Sequence, residues 1–167
     1  NNFGGSGFDH GTYLSGKNGT SGINIVLRNN RYIRNSVVNG VCLGGNMTFH
    51  GQMTNVLIEG NRIEQDAAVG GCWGMSITQG YATAEWFRDF IVRGNKFINV
   101  GNNAMNAQSA PGILVEGNVV INTQSNQSGL NVGHLEYLNG DVPDGNAIAR
   151  NNTGCYPGPG TGNTLMN

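Results

Sequence analysis

The sequence predicts an all-β chain wound into a parallel β-helix, a solenoid of about five to six coils. Three observations predict this fold. A short apolar strand that ends in an asparagine turn recurs five times, a second strand pattern follows each turn, and charged residues make up only 11% of the chain. An ordinary soluble domain contains roughly 25% charged residues. A chain this poor in charge and this rich in glycine is not a helical protein.

The first pattern is an apolar strand followed by Gly or Asn and then by Asn. Gly and Asn tolerate positive φ best, so the chain is expected to bend sharply just before the final Asn. The shortest repeat, from Asn95 to Asn118, is 23 residues long and fits three short strands and three turns. Stacked coils would place the final asparagines in one internal ladder that satisfies buried turn backbone. The ladder consists of Asn30, Asn61, Asn95, Asn118 and Asn152.

The second pattern begins with Gly or Ala and alternates apolar and polar residues with a period of two. We call it the first strand of each coil, and we expect the chain's insertions to follow it. Its outward column is predicted to contain Tyr13, Cys42, Ser76, Asn106 and Asn131, with Ser15, Thr78 and Gln108 beside it. Such a polar strip suits sugar hydroxyls, and it is equally compatible with an ordinary solvated sheet face.

The strand that leads into the Asn turn, here the second strand, predicts two further columns. One alternates in charge: Arg28, Glu59, Arg93, Glu116 and Arg150. The other column is apolar: Val26, Leu57, Ile91, Leu114 and Ile148. The residues before and after each of its members in sequence are mostly apolar as well, so the second strand is apolar on both faces. A strand that is apolar on both faces is usually covered on both. We therefore expect an outer subunit interface and a homo-oligomer, with a trimer as the symmetric solution.

The strand with its Asn turn, the Gly-[Ile/Met]-x-[Ile/Leu] strand after it and the frame of 23 residues resemble the pectate-lyase-like superfamily of right-handed parallel β-helices. That superfamily includes polysaccharide lyases, polygalacturonase-type hydrolases and phage tailspikes. The resemblance covers about residues 9–155. It implies a right-handed helix, a substrate lying along the first strand and its loops, and an extracellular, secreted or virion-associated protein. We expect one β-helix domain over residues 1–167, processed or excised from a longer chain.

Aromatic residues in the inserted loops suggest where a sugar would bind, because aromatic faces pack against apolar ring surfaces. Tyr81 and Trp86, with Arg88 beside them, join Tyr13, Ser76, Asn106, Gln108 and Asn131 as candidate substrate-binding residues. The alternative is that residues 83–88 form one helical turn and that Trp86 or Phe87 is buried for structural reasons.

Catalytic residues are harder to find in the sequence. Glycoside hydrolysis needs two converging carboxylates, and no matched pair stands in the first-strand column. The candidates are His134 with Glu136, and more weakly Asp9 with His10, although each of these residues is more often a hydrogen-bonding loop residue than a catalyst. No cofactor is evident. Calcium is conceivable at Asp141 and Asp144, but two carboxylates without a loop signature are a weak signal.

The composition limits partners and compartment. The net charge is −1, and the basic residues form no dense run, so we expect no nucleic-acid partner. No apolar stretch approaches the length of a membrane span. The cysteines Cys42, Cys72 and Cys155 match neither a paired framework nor a metal knuckle, so we expect free, partly buried thiols.

Two functions follow as expectations. The first is a polysaccharide-binding protein, which as an enzyme would be a lyase or glycoside hydrolase. The alternative is a non-catalytic structural β-helix module of a phage tail, fibre or surface protein.

Overall fold

The computed structural model describes residues 9–66, 69–125, 128–132, 145–157 and 165–166. Within these ranges the chain is all β, without a helix, and parallel strands stack into a β-solenoid of about four turns. The predicted fold is therefore confirmed, and the predicted number of coils is slightly too high.

The described residues contain fourteen strands in two sheets. The strands are β1 (Thr12–Arg28), β2 (Arg31–Ile33), β3 (Val37–Val38), β4 (Val41–Glu59), β5 (Arg62–Glu64), β6 (Val69–Ile77), β7 (Trp86–Arg93), β8 (Lys96–Ile98), β9 (Asn103–Ala107), β10 (Leu114–Glu116), β11 (Val119–Ile121), β12 (Leu130–Val132), β13 (Ile148–Arg150) and β14 (Thr153–Cys155).

The nine-stranded sheet has the order β12-β9-β6-β4-β7-β10-β13, with β1 and β3 pairing with β4. Strands β1 and β4 are long because each passes through both a first and a second strand of its coil. The five-stranded sheet, β14-β11-β8-β5-β2, contains the strands that follow the Asn turns. We call these the third strands. Only the short β3 pairs antiparallel to its neighbour among the described strands.

The predicted asparagine ladder is confirmed. Asn95 Nδ2 donates to Asn118 Oδ1 (3.0 Å) and to the Ile58 carbonyl (2.9 Å). Its Oδ1 accepts from the backbone N–H and the Nδ2 of Asn61, both at 3.0 Å. The same contacts join Asn30 to Asn61 and Asn118 to Asn152. The Asn61, Asn95, Asn118 and Asn152 side chains thus each satisfy one backbone N–H and one carbonyl of the preceding coil.

The residue before each ladder asparagine has the positive φ that the sequence predicts. The values are 58° at Asn29, 64° at Gly60, 61° at Gly94, 61° at Gly117 and 56° at Asn151. A left-handed residue at this point lets the chain turn within one position from the second strand to the third.

The alternating charges of the second strands stack as predicted. Arg28 and Arg93 bind opposite oxygens of Glu59, each at 2.6 Å, and Arg150 binds Glu116 at 2.8 Å. The two arginines also lower the pKa of Glu59, chiefly through the hydrogen bond from Arg93. These ion pairs are exposed, so their contribution is to register more than to stability.

The core is a stack of inward side chains from all three strands. Phe49, Phe87, Phe90 and Phe97 are fully buried, and the Phe90 ring meets Phe49 and Phe87 edge-on at centroid distances of 6.0 and 5.7 Å. Phe87 is therefore structural, as one of the two alternatives for residues 83–88 proposed. The helical turn proposed with it is wrong, because β7 begins at Trp86 and the residues before it form no helix.

The expectation of free, partly buried thiols is wrong for Cys72; for Cys155 it is right about the free thiol and wrong about its burial. Cys72 is disulfide-bonded and fully buried, and Cys155 is a free thiol that is exposed. The side chain of Cys42 lies outside the described residues. Residue spacing could not reveal the bond, because the proximity of β6 to its neighbours arises from coil stacking and not from a local motif.

The last described residues close one end of the stack. Leu165 packs against the core. The Met166 carbonyl accepts from Asn152 Nδ2 at 3.0 Å, and the Met166 sulfur accepts from the Val132 N–H at 3.0 Å. This tail therefore covers the end of the ladder and does not cover the apolar column of the second strands.

Candidate functional site

The first strands present one outward column across five adjacent rungs. The strand register aligns Tyr13, Thr48, Ser76, Asn106 and Asn131. The sequence-based column is correct except at Cys42, which pairs with Gly70 instead. The error arose because the extra residues of that coil precede its first strand, whereas we expected all insertions to follow it. Thr48 therefore takes the place predicted for Cys42.

A second outward column runs beside the first. Ser15 pairs with His50 in register. Thr78 and Gln108 continue the column, since their backbone N–H groups donate to the neighbouring coils at Phe49 and Ile77. The predicted neighbours of the first column are confirmed, and His50 is added to them.

An open cleft of about 650 Å³ lies over these columns. Gly44, Gly45 and Gly71 are part of its lining, and their lack of side chains leaves room for a ligand. The side chains that line it are aromatic or imidazole rings, hydroxyls and amides: His10, Tyr13, Thr48, His50, Trp73, Ser76, Thr78, Gln79 and Asn102. No carboxylate, ammonium or guanidinium group lines the described cleft.

Backbone carbonyls fix the two imidazoles. His10 Nδ1 lies 2.7 Å from the Gly45 carbonyl, and His50 Nδ1 lies 2.6 Å from the Thr78 carbonyl. A carbonyl oxygen can only accept, so each Nδ1 carries the proton. In the neutral imidazole each Nε2 is then an acceptor. Both rings therefore offer the cleft an oriented acceptor for a ligand hydroxyl.

Tyrosine hydroxyls close one wall of the cleft. The Tyr13 ring stacks on His10 at 5.4 Å and meets His50 edge-on at 5.6 Å. Its phenol oxygen lies 2.9 Å from that of Tyr81, which is also 2.7 Å from Ser15 Oγ. Partial burial, followed by the hydrogen bond to Tyr81, raises the pKa of Tyr13 to about 12. Tyr13 is thus a neutral hydroxyl throughout the ordinary pH range.

A buried carboxylate holds the loop that carries Tyr81. Glu85 is fully buried and accepts from three backbone N–H groups, those of Gly51 (2.7 Å), Gly80 (2.8 Å) and Tyr81. Gly80 packs so closely on His50 that a Cβ there would lie 2.5 Å from His50 Nδ1. Glu85 therefore positions the wall of the cleft and is not available as an acid or base at its surface.

The structure brings only part of the predicted site together. His10, Tyr13 and Ser76 line the cleft, and Tyr81 contacts Tyr13 at its wall. Asn106, Gln108 and Asn131 lie further along the same sheet face, beyond the cleft, where Asn131 Nδ2 donates to Asn103 Oδ1 at 2.7 Å. Asp9 is half-buried beside His10 in sequence. His134, Glu136, Asp141 and Asp144 lie outside the described residues.

Trp86 and Arg88 lie on β7, outside the cleft. The Arg88 guanidinium sits 4.8 Å from the centre of the Trp86 ring, so the two side chains cover each other. Trp73 takes the place in the cleft that the sequence analysis gave to Trp86. The sequence analysis missed Trp73 because Gly70, Gly71 and Gly74 interrupt the alternation that would have placed its side chain.

The described residues contain no group of three or more His, Cys, Asp or Glu side chains that could hold a metal ion. They also contain no helix with the length and apolar character required to cross a membrane.

The chain was compared with known proteins. No family model, no curated protein and no solved structure matches it. Any function must therefore be argued from the geometry of the chain itself.

Proposed function

We propose that the chain is a polysaccharide-binding β-helix of the pectate-lyase-like type, and that its cleft binds an uncharged glycan. The observation that carries the proposal is the lining of the cleft, in which the described residues supply rings, hydroxyls, amides and glycines and no carboxylate, ammonium or guanidinium group. Sugars present the complementary chemistry, with apolar ring faces and many hydroxyls that both donate and accept.

Individual side chains support this assignment. Tyr13 and Trp73 supply aromatic surface, and the two oriented imidazoles of His10 and His50 supply acceptors. Ser76 and Thr78 hydroxyls, 2.8 Å apart, can exchange donor and acceptor roles to suit a ligand hydroxyl.

We propose binding, and not cleavage, as the function of this cleft. Hydrolysis requires one carboxyl group to protonate the leaving oxygen and another to activate water or attack carbon. Glu85 is the carboxylate at the cleft wall, and three amides already occupy it. Cleavage by a lyase or glycoside hydrolase mechanism would then depend on His10, or on His134 and Glu136 in a part of the chain that is not described.

The disulfide bond of Cys72 supports an extracellular, secreted or virion-associated location. Disulfides persist in oxidising compartments and are rare in reducing ones. Extracellular and virion proteins also meet polysaccharides in polymeric form, which suits a cleft that is open at its surface.

The experiment compares two tryptophans. Trp73→Ala should weaken binding to the preferred neutral glycan about tenfold, since it removes an aromatic face from the cleft. Trp86→Ala is the matched control, because Trp86 lies outside the cleft and packs on Arg88. Ligands would come from an array of neutral and acidic glycans, and affinities from calorimetry. Absence of glycan binding by the unmodified protein, or equal losses in both variants, would refute the proposal.

A second candidate function rests on the apolar column of the second strands. Val26, Leu57, Ile91, Leu114 and Ile148 pair in register. Val26 and Ile148 are 57% and 51% exposed, and the three between them are half-buried. At about 4.8 Å per rung the column is about 19 Å long.

Such a stripe favours a structural module in which three copies pack around a threefold axis and bury it. The alternating Arg28, Glu59 and Arg93 side chains border the stripe and would lie at the rim of that interface. The two candidates are compatible, because the cleft and the stripe lie on different strands of the coil.

A further inference from the structure

The third strands carry a column of like charges on their outer face. Arg31 pairs in register with Arg62, and Arg62 pairs with Lys96. Tyr32 and Phe97, the middle residues of β2 and β8, point into the core and are buried. Adjacent strands are about 4.8 Å apart, so the backbones of the three cationic residues lie within about 10 Å. The sequence conceals this cluster because its members are separated by more than thirty residues.

Little on the protein compensates these charges. Glu64 binds Arg62 through Nη2 at 2.5 Å and Nε at 2.8 Å. Arg31 and Lys96 are exposed, and neither forms an ion pair within the described ranges. Because the one carboxylate, Glu64, pairs with only one of the three cations, the column keeps a net positive charge.

The turns that end the third strands do not reverse this balance. Arg34 follows β2 and is exposed, which adds a fourth cation. Asp66 follows β5, and one of its oxygens accepts from Asn99 Nδ2 at 2.6 Å. With Glu64 and Asp66 set against four cations, the face as a whole keeps a charge of +2, whereas the chain carries −1.

The second strands show that the same chain can avoid such an arrangement. There the outward column alternates in sign, and Glu59 bridges Arg28 and Arg93. Like charges directly opposite on neighbouring strands are destabilising, while opposite charges stabilise. A column of like charges therefore destabilises the free protein locally. Such locally unfavourable arrangements concentrate at functional sites.

We propose that the outer face of β2, β5 and β8 is an anion-binding surface for an extended anionic polysaccharide that runs along the solenoid axis. Arg31, Arg62 and Lys96 would meet successive carboxylate or sulfate groups of the polymer. Arginine in particular matches these groups with paired N–H donors. The surface is separate from the uncharged cleft, so the inference does not depend on the proposed function.

A polysaccharide fits this face better than a single-stranded nucleic acid does. Proteins that bind single strands combine a positive groove with aromatic side chains on which the bases stack. The aromatic residues of these strands, Tyr32 and Phe97, are buried in the core. The second outward column of these strands consists of Ile33, Glu64 and Ile98, which offers aliphatic surface and one carboxylate but no stacking plane.

The test measures binding of polygalacturonate to the whole chain at salt concentrations between about 50 and 200 mM, the range over which electrostatic binding weakens strongly. The variant Arg31→Gln with Lys96→Gln should lose about two- to fivefold in affinity for each cation removed, the range expected for exposed ion pairs. The control Arg28→Gln with Arg150→Gln removes the same charge from the second-strand face and should change affinity little. Lys96→Arg alone should retain binding.

Each alternative has a distinct outcome. Absence of polygalacturonate binding at the lowest salt would overturn the proposal, as would equal losses in the two double variants, which would indicate attraction by net charge alone. Tighter binding of an oligothymidylate than of polygalacturonate at the same salt would assign the face to nucleic acid. A lower melting temperature for Arg31→Gln with Lys96→Gln would contradict the destabilisation inferred for the column.

Discussion

Replacing Asn95 with alanine tests the ladder at a fully buried rung. The side chain is fully buried and takes part in four hydrogen bonds. Its loss leaves the Asn61 backbone N–H without its acceptor, at a cost of about 1–3 kcal/mol for a buried unsatisfied donor. The Ile58 carbonyl and Asn118 Oδ1 each lose one donor, which adds about 0.5–1.5 kcal/mol per net bond. We therefore expect Asn95→Ala to lower the free energy of unfolding by about 2–6 kcal/mol.

Urea denaturation of the unmodified protein and the variant measures this difference, provided that the slope of unfolding free energy against urea stays the same. Asn30→Ala is the matched control. Asn30 is the first residue of the ladder and is exposed, and its side chain donates one hydrogen bond to Asn61 Oδ1 at 3.0 Å. We expect this control to cost no more than about 1 kcal/mol. If Asn95→Ala destabilises no more than Asn30→Ala, the ladder does not hold the coils together and the reasoning fails.

Two further predictions concern the outer surface. Leu57→Lys with Leu114→Lys should dissociate the proposed trimer, because two charges would enter a buried apolar stripe. If light scattering finds the unmodified protein monomeric, the trimer proposal is wrong. Tyr13 should titrate near pH 12, so the stability it contributes is complete below about pH 10 and is lost as the pH rises towards 12. Tyr81→Phe should lower that pKa by removing a hydrogen bond, and an unchanged midpoint for the Tyr13 step of the tyrosinate absorbance titration would show that the bond is absent.

Inward positions could be predicted from the sequence because stacking repeats the same requirement in every coil. The Asn turn needs a positive φ and then a buried amide, so Gly60-Asn61 and Gly94-Asn95 recur as a visible signature. The column of alternating charges that includes Glu59 could be predicted for the same reason, because each charge lies next to an opposite charge in the neighbouring coil. Repetition made these features detectable without any relative for comparison.

The cleft could be predicted only in part because it breaks the repeat. Extra residues before the first strand of β4 moved Thr48 into the place expected for Cys42. Glycines around Trp73 hid its outward orientation, and Trp86 was favoured because the sequence placed it in an inserted loop, whereas it begins β7. A period of two identifies a face only while the strand remains regular, and the glycines in the lining of this cleft, such as Gly44, Gly45 and Gly71, carry no such pattern.

The outward columns are where a solenoid can acquire function without loss of fold. Each coil contributes one residue to each column, so neighbours in space are about one coil apart in sequence and can change one at a time. The core and the Asn ladder set the register, and they impose no chemistry on the three outer faces. The faces accordingly differ: the first strands line an uncharged cleft, the second strands carry an apolar stripe beside balanced charges, and the third strands carry unbalanced cations. Because fold stability requires none of these differences, each is more informative about a partner than the repeat itself.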